Sequence, residues 1–300
     1  MSSTETEKKK QISVPDTFLE GVANELADYA VGFIKLQETD AQEDAQVAGS
    51  GTLVEIDGTY AILTADHVLE NLPTSGEVGL ILPTRFKPQL HRYTVNMEFA
   101  QKLRIGRGAC PSDGPDLGLL VLDHSQLGAV KALKSFYNLS KRRDQVLSSP
   151  PAIEVGAWLL LGIAHEWTTD IPPEGGYKNV KVFRGMCGLG LVEGERSRDD
   201  YDFLEFKTRY HEHYKGPQSY GGFSGGGLWH LLIKESKKGR PEVTDRILSG
   251  VAFYQSPIHE RIRTITCHGR QSIYRNAIDP KKISWDMPTG ELEGLAAAGF

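Results

Sequence analysis

From Pro15 onward the apolar residues Phe18, Val22, Leu26 and Ala30 fall four apart, the spacing of one helix face, which predicts an amphipathic helix over 14–30 packed on the outside of a barrel. The period then changes. Short apolar runs bounded by turn formers succeed one another, among them Val31-Gly32-Phe33-Ile34-Lys35-Leu36, Tyr60-Ala61-Ile62-Leu63-Thr64-Ala65 and Leu117-Gly118-Leu119-Leu120-Val121-Leu122, and each reads as a strand. Between the first two, 38–46 reads as an acidic loop. Leu127, Val130, Leu133 and Phe136 return to helical spacing, and a basic, proline-containing stretch over 141–151 reads as a connection. Strand-like runs resume at 157–162, 180–185 and 201–206, then near Leu228 and Leu248 and over 263–267. Residues 1–13 are polar and read as a mobile tail, and the segment 279–300 ends in the apolar 292–300.

Composition narrows the class without naming a function. With 300 residues, 32 glycines and 15 prolines, the chain suits an all-β protein with many turns and one large or two medium cores. The net charge of −5 and the shortness of the basic clusters argue against nucleic-acid binding. Cys110, Cys187 and Cys267 show no paired spacing, so neither a disulfide framework nor a zinc site is expected. No signal-peptide core and no stretch of membrane-spanning length is visible, and a reducing cytoplasm is the expected location. His211-Glu212-His213 lacks a third metal ligand, Gly188-Leu189-Gly190 misses the dinucleotide fingerprint, and Phe203, Phe206, Tyr210 and Tyr214 read as packing residues. No metal and no cofactor is expected.

Three strand boundaries carry chemistry. His67 closes Thr64-Ala65-Asp66-His67, where a buried strand passes into a turn or short helix that holds an imidazole rigidly. Asp116 follows the turn-rich stretch 110–115 and opens an apolar strand, which puts its carboxylate at the strand mouth. Ser224 lies in Gly222-Phe223-Ser224-Gly225-Gly226, where glycines allow unusual dihedrals and leave N–H groups to converge on a reacting oxygen. The serine segment also fits the nucleophile elbow of α/β-hydrolases, which requires a helix next and then an acid and a histidine. The glycines lead instead into Leu228-Trp229-His230-Leu231-Leu232-Ile233, a strand pattern, and Asp245, His259 and His268 stand in no recognisable setting.

In this order the three segments, together with Gly49-Ser50-Gly51-Thr52-Leu53-Val54 and Leu248-Ser249-Gly250-Val251-Ala252-Phe253-Tyr254, resemble the trypsin/chymotrypsin-like serine peptidases, especially bacterial members without disulfides. The resemblance covers most of the chain. It implies two six-stranded antiparallel β-barrels over 31–124 and 157–278, an interdomain connection over 125–156, an N-terminal helix and a short C-terminal segment. It implies a triad of His67, Asp116 and Ser224, with the N–H groups of Gly222 and Ser224 as the oxyanion hole. The primary substrate pocket would have Gln218 at its floor and Phe253, Gln255 and Ser272 along its walls.

Some positions depart from the family pattern. Phe223 stands where digestive members carry the aspartate that receives a new N-terminus, so that activation route is absent. Asp66 replaces a small residue before the histidine, and Gly227 replaces a proline. With no acid at Gln218, a small or medium uncharged residue is expected before the scissile bond. The implied substrate is a protein or peptide, and a cytosolic peptidase needs restraint or activation by a regulatory protein partner. The second reading of the same fold is a latent domain that binds proteins without cleaving them.

Overall fold

The computed structural model describes residues 14–38, 43–83, 92–108, 110, 112–171, 180–212, 214, 216–279 and 284–285. The expected tail over 1–13 and nearly all of 279–300 lie outside the described residues, as do His213 and most of the loop after Trp167.

The chain is mostly β, with helices at the start and at the waist. Helix α1 (Asp16–Leu26) turns through a short 3₁₀ segment into a first group of strands: β1 (Ala30–Glu38), β2 (Glu43–Ile56), β3 (Thr59–Thr64), β4 (Glu77–Ile81), β5 (Arg92–Asn96), β6 (Ala100–Arg107) and β7 (Asp116–Leu122). The short helix α2 (Asp66–Asn71) leaves the end of β3. At the waist, α3 (His124–Leu133), the two-residue strand β8 (Tyr137–Asn138) and α4 (Leu139–Ser148) lead to a second group. It comprises β9 (Ala157–Ile163), the small hairpin β10 (Thr169–Ile171) and β11 (Val180–Val182), then β12 (Gly185–Arg198), β13 (Tyr201–Arg209), β14 (Gly227–Glu235), β15 (Pro241–Gln255) and β16 (Ile262–His268); β17 (Ser284–Trp285) comes last.

The second group closes into a six-stranded barrel, β12-β13-β16-β15-β14-β9, with every neighbouring pair antiparallel. The first group does not close. Its order is β17-β6-β7-β3-β2-β1-β4-β5, with β8 beside β2, and β5 pairs only with β4 among the described residues. The expected pair of closed barrels is thus one barrel and one half-barrel. The edge of β6 on which β5 would close the sheet pairs instead with β17, Ser284 opposite Arg104 and Trp285 opposite Leu103, and β5 is tied to α3, where Tyr93 Oη donates to the Gln126 carbonyl at 2.9 Å and Gln126 Nε2 to the Asn96 carbonyl at 3.1 Å.

Two further elements differ from the sequence pattern. Strand β2 begins at Glu43, inside the stretch that reads as an acidic loop. Helix α4 occupies much of the expected basic connection. The Asn138 side chain caps it by accepting the Lys141 N–H at 2.8 Å, Leu139 and Val146 bury its apolar side, and Arg142 grips both Asp245 oxygens at 2.7 Å. Helix α1 is shorter than the expected 14–30, since Ala30 already opens β1; Leu19, Val22, Ala23 and Leu26 are buried in a core shared with Trp229, Leu248 and Tyr274, with Phe18 partly buried against it.

Half-barrel and barrel meet where β1 and β2 lie against β9. Gly32 has no side chain there because a Cβ would fall 2.3 Å from Ile163 Cγ1. Ser50, wholly buried, stitches the two together: its Oγ donates to the Gly222 carbonyl at 2.6 Å and accepts the Ile163 N–H at 2.9 Å.

Candidate active site

His67 stands in the first turn of α2, immediately after the buried end of β3, and Asp116 is the first residue of β7, the strand that pairs with β3. The register Thr64↔Gly118 brings the two within reach. His67 Nδ1 lies 2.5 Å from Asp116 Oδ2, and the His67 backbone N–H donates to Asp116 Oδ1 at 2.9 Å, so one carboxylate fixes both the ring and the chain that carries it. The carboxylate accepts the hydrogen bond of Nδ1–H, which leaves Nε2 as the ring nitrogen turned away from Asp116. The His67 side chain is 38% exposed, whereas that of Asp116 is 12% exposed. Burial pushes the Asp116 pKa up, but the hydrogen bonds and charge of His67 outweigh it, and the carboxyl titrates below its usual range.

Behind Asp116 stands a residue that sequence patterning does not reveal. His268, the last residue of β16, accepts the Asp116 backbone N–H on Nε2 at 2.8 Å. Its ring lies among Tyr201, Phe203 and Phe253, with centroid separations of 5.9, 5.2 and 4.9 Å. Burial lowers its pKa to about 3, so the ring is neutral with the proton on Nδ1, a buried atom with no hydrogen-bond partner among the described residues. An apolar wall thus holds the acid strand in place.

Asp66 is fully buried beside this pair, its Oδ1 3.5 Å from Arg104 Nε. Burial raises its pKa to about 6; Arg104 opposes the rise and the neighbouring Asp116 adds to it.

The serine segment is folded onto the end of β3. Gly222 and Gly225 have φ of +91° and +86°, a region open to glycine at little cost. A Cβ at Gly225 would fall 2.0 Å from Thr64 Oγ1 and 2.1 Å from the Ser50 carbonyl, and Thr64 is three residues before His67. The Ser224 carbonyl accepts the Ser50 N–H at 2.7 Å, and a Cβ at Gly49 would meet both Val68 Cγ2 at 2.6 Å and the Ser224 carbonyl at 3.1 Å. The backbone at Ser224 therefore adjoins the residue after His67. The loop is held on its other side by Gly225 N–H to the Ala252 carbonyl, at 2.6 Å, and Gly226 N–H to the Phe223 carbonyl, at 2.7 Å. Among the described residues the N–H groups of Gly222 and Ser224 donate to nothing, and Ser224 Oγ makes no hydrogen bond. After the serine the chain enters β14, a strand, so the helix a hydrolase elbow requires is absent from that position.

The four residues assigned to a substrate pocket separate into three places. Gln218 and Gln255 come together at the loop before the serine. Gln255 Oε1 accepts the Tyr220 N–H at 2.9 Å, and the Glu166 carboxylate accepts the N–H groups of Gln218 and Ser219 at 2.7 and 2.9 Å. Phe253 turns instead to the His268 ring and the underside of Gly114. Ser272 is wholly buried and bound to Asp202, its Oγ donating to Oδ1 at 2.8 Å and its N–H at 2.7 Å. The aromatics Phe203 and Phe206 are core residues, and no group of three or more acidic, cysteine or histidine side chains able to hold a metal occurs among the described residues.

No family model matches the chain, and no curated protein matches it. A solved structure described as showing how aromatic interactions drive the coupled folding and binding of the intrinsically disordered Sesbania mosaic virus VPg protein is similar at 14% identity. The match spans 84% of this chain and 91% of that one with a TM-score of 0.41, a likeness too low to bear on fold or function.

Proposed function

We propose that the chain is a serine endopeptidase with a chymotrypsin-like double-barrel design, in which the half-barrel supplies His67 and Asp116 and the closed barrel supplies Ser224. The observation that carries this reading is the doubly bonded His67–Asp116 pair, with Nε2 left as a base and with the serine loop anchored to the same strand end. Three chemical groups of unremarkable type are common in any protein; a buried carboxylate orienting an imidazole at the strand end on which a glycine-framed serine loop rests is not.

His67 Nε2 takes the proton from Ser224 Oγ as that oxygen bonds to the peptide carbonyl carbon. The carbonyl oxygen, now negative, is held by the N–H groups of Gly222 and Ser224, each worth roughly 3–4 kcal/mol in comparable sites. Asp116 holds the tautomer and stabilises the imidazolium. The C–N bond then breaks as the amine takes the proton from Nε2, leaving an acyl-enzyme that water cleaves by the same path reversed. That Ser224 Oγ makes no hydrogen bond among the described residues fits a site that tightens when substrate or a protein partner binds, so we place control of the enzyme there. Cys110, Cys187 and Cys267 are all free thiols, which supports work in a reducing compartment such as the cytoplasm.

The test is labelling by a fluorophosphonate probe, run on the wild type, Ser224→Ala and His67→Ala, each verified as folded by circular dichroism. Labelling that vanishes in Ser224→Ala and falls sharply in His67→Ala is expected. A folded wild type that resists the probe even with candidate substrates present leaves a protein-binding module in place of an enzyme.

A further inference from the structure

We infer that the loop leading to Ser224 selects an acidic side chain, through Arg263, an inference that takes the serine-peptidase reading as its frame. The family resemblance assigns Gln218 to the pocket floor and Gln255 to its wall without reference to each other. Both meet at one guanidinium. Arg263 Nη1 donates to Gln255 Oε1 at 2.8 Å and to the Ser256 carbonyl at 2.9 Å, Nη2 donates to the Gln218 carbonyl at 2.9 Å, and Nε donates to Tyr210 Oη at 3.1 Å. Tyr210 Oη in turn donates to the Gln218 carbonyl at 3.2 Å.

A guanidinium has five N–H donors, and these bonds use four. Among the described residues the donor left over is on Nη2. The Nη1 and Nε bonds are part-buried, and the Nη2 bond to the Gln218 carbonyl is exposed. All four partners are neutral, and among the described residues Arg263 forms no ion pair. Glu166, the nearby carboxylate, is engaged by the amides of Gln218 and Ser219.

A fixed cation that is in no ion pair among the described residues, with one N–H beyond the four it uses, is complementary to a carboxylate and repels Lys or Arg. On this inference Glu or Asp takes the place of the uncharged residue expected from the lack of an acid at Gln218, because Arg263 reaches Gln218 from β16, forty-five positions on.

The experiment uses decapeptide pools with one position fixed as Glu, Asp, Gln, Leu or Lys and the rest randomised. Cleavage by the full chain is read by mass spectrometry, and binding to Ser224→Ala by fluorescence anisotropy. Cleavage after Glu or Asp at least tenfold above Gln, Leu and Lys is expected, together with tighter binding of the acidic pools. In Arg263→Gln, which keeps length and loses charge, the Glu-to-Leu ratio should fall to near one; Arg263→Glu should move the preference toward Lys. A wild type that cleaves or binds the Gln or Leu pools as well as the Glu pool overturns the inference, as does an undiminished acidic preference in Arg263→Gln. Acidic-pool binding to Ser224→Ala without cleavage by the wild type would overturn the peptidase reading and leave the acidic selectivity standing.

Discussion

Replacing His268 tests how the acid strand is held. The buried ring titrates near pH 3 against an ordinary 6.5, because burial disfavours its charged form. Below pH 6.5 the unfolded chain takes up a proton that the folded chain refuses. The stability that a neutral His268 contributes is therefore complete above 6.5 and is lost as the pH falls toward 3, at about 1.4 kcal/mol for each pH unit. At pH 4.5 the accumulated loss is roughly 3 kcal/mol. Other buried groups titrate too, His230 among them, with its pKa lowered by burial to about 4, so the difference between variants carries the information. His268→Gln keeps an acceptor for the Asp116 N–H and does not titrate. His268→Phe keeps the apolar packing and orphans that N–H, which costs about 1–3 kcal/mol at any pH. Urea denaturation between pH 4.5 and 8, monitored through the buried Trp158 and Trp229, measures both. The expectation is that His268→Gln loses less stability than wild type on acidification, by roughly 3 kcal/mol over this range, while His268→Phe is weaker than His268→Gln at pH 8. Identical acid slopes in wild type and His268→Gln would refute the neutral buried imidazole.

Asp66 offers the opposite sign. Its pKa is raised to about 6 by burial, so protonation favours the fold below about pH 4, and that contribution is lost as the pH rises through 6. Asp66→Asn should therefore be more stable than wild type at pH 8, by on the order of 2–3 kcal/mol, with the gain gone at pH 4; an equal or lower melting temperature at pH 8 would show that Arg104 compensates the buried charge fully. Gly225→Ala puts a Cβ 2.0 Å from Thr64 Oγ1 at φ +86°. The left-handed backbone alone costs roughly 1–2 kcal/mol, and relief of the clash must move the serine loop off β3. A lower unfolding midpoint and loss of fluorophosphonate labelling are expected, and a wild-type midpoint would mean that the loop does not rest on Thr64.

Local pattern was enough for much of this protein. The four-residue spacing over Phe18, Val22 and Leu26 determined α1, because a helix face repeats at that interval wherever it packs. The runs ending in His67 and opening with Asp116 determined β3 and β7, and glycines on either side of Ser224 determined a loop with positive φ. Those residues carry their meaning in their neighbours. Other features depend on contacts between distant segments, which periodicity does not record. The edge of β6 that would close the half-barrel is taken by β17 from late in the chain, and helix α4 is completed by the grip of Arg142 on Asp245, 103 residues on. His268 reaches Asp116 across 152 positions, Ser50 reaches Gly222 across 172, and Arg263 joins Gln218 to Gln255 from another strand. In a barrel such pairings are set by strand order and register, so the chemical surroundings of each site residue are decided only when the sheets assemble.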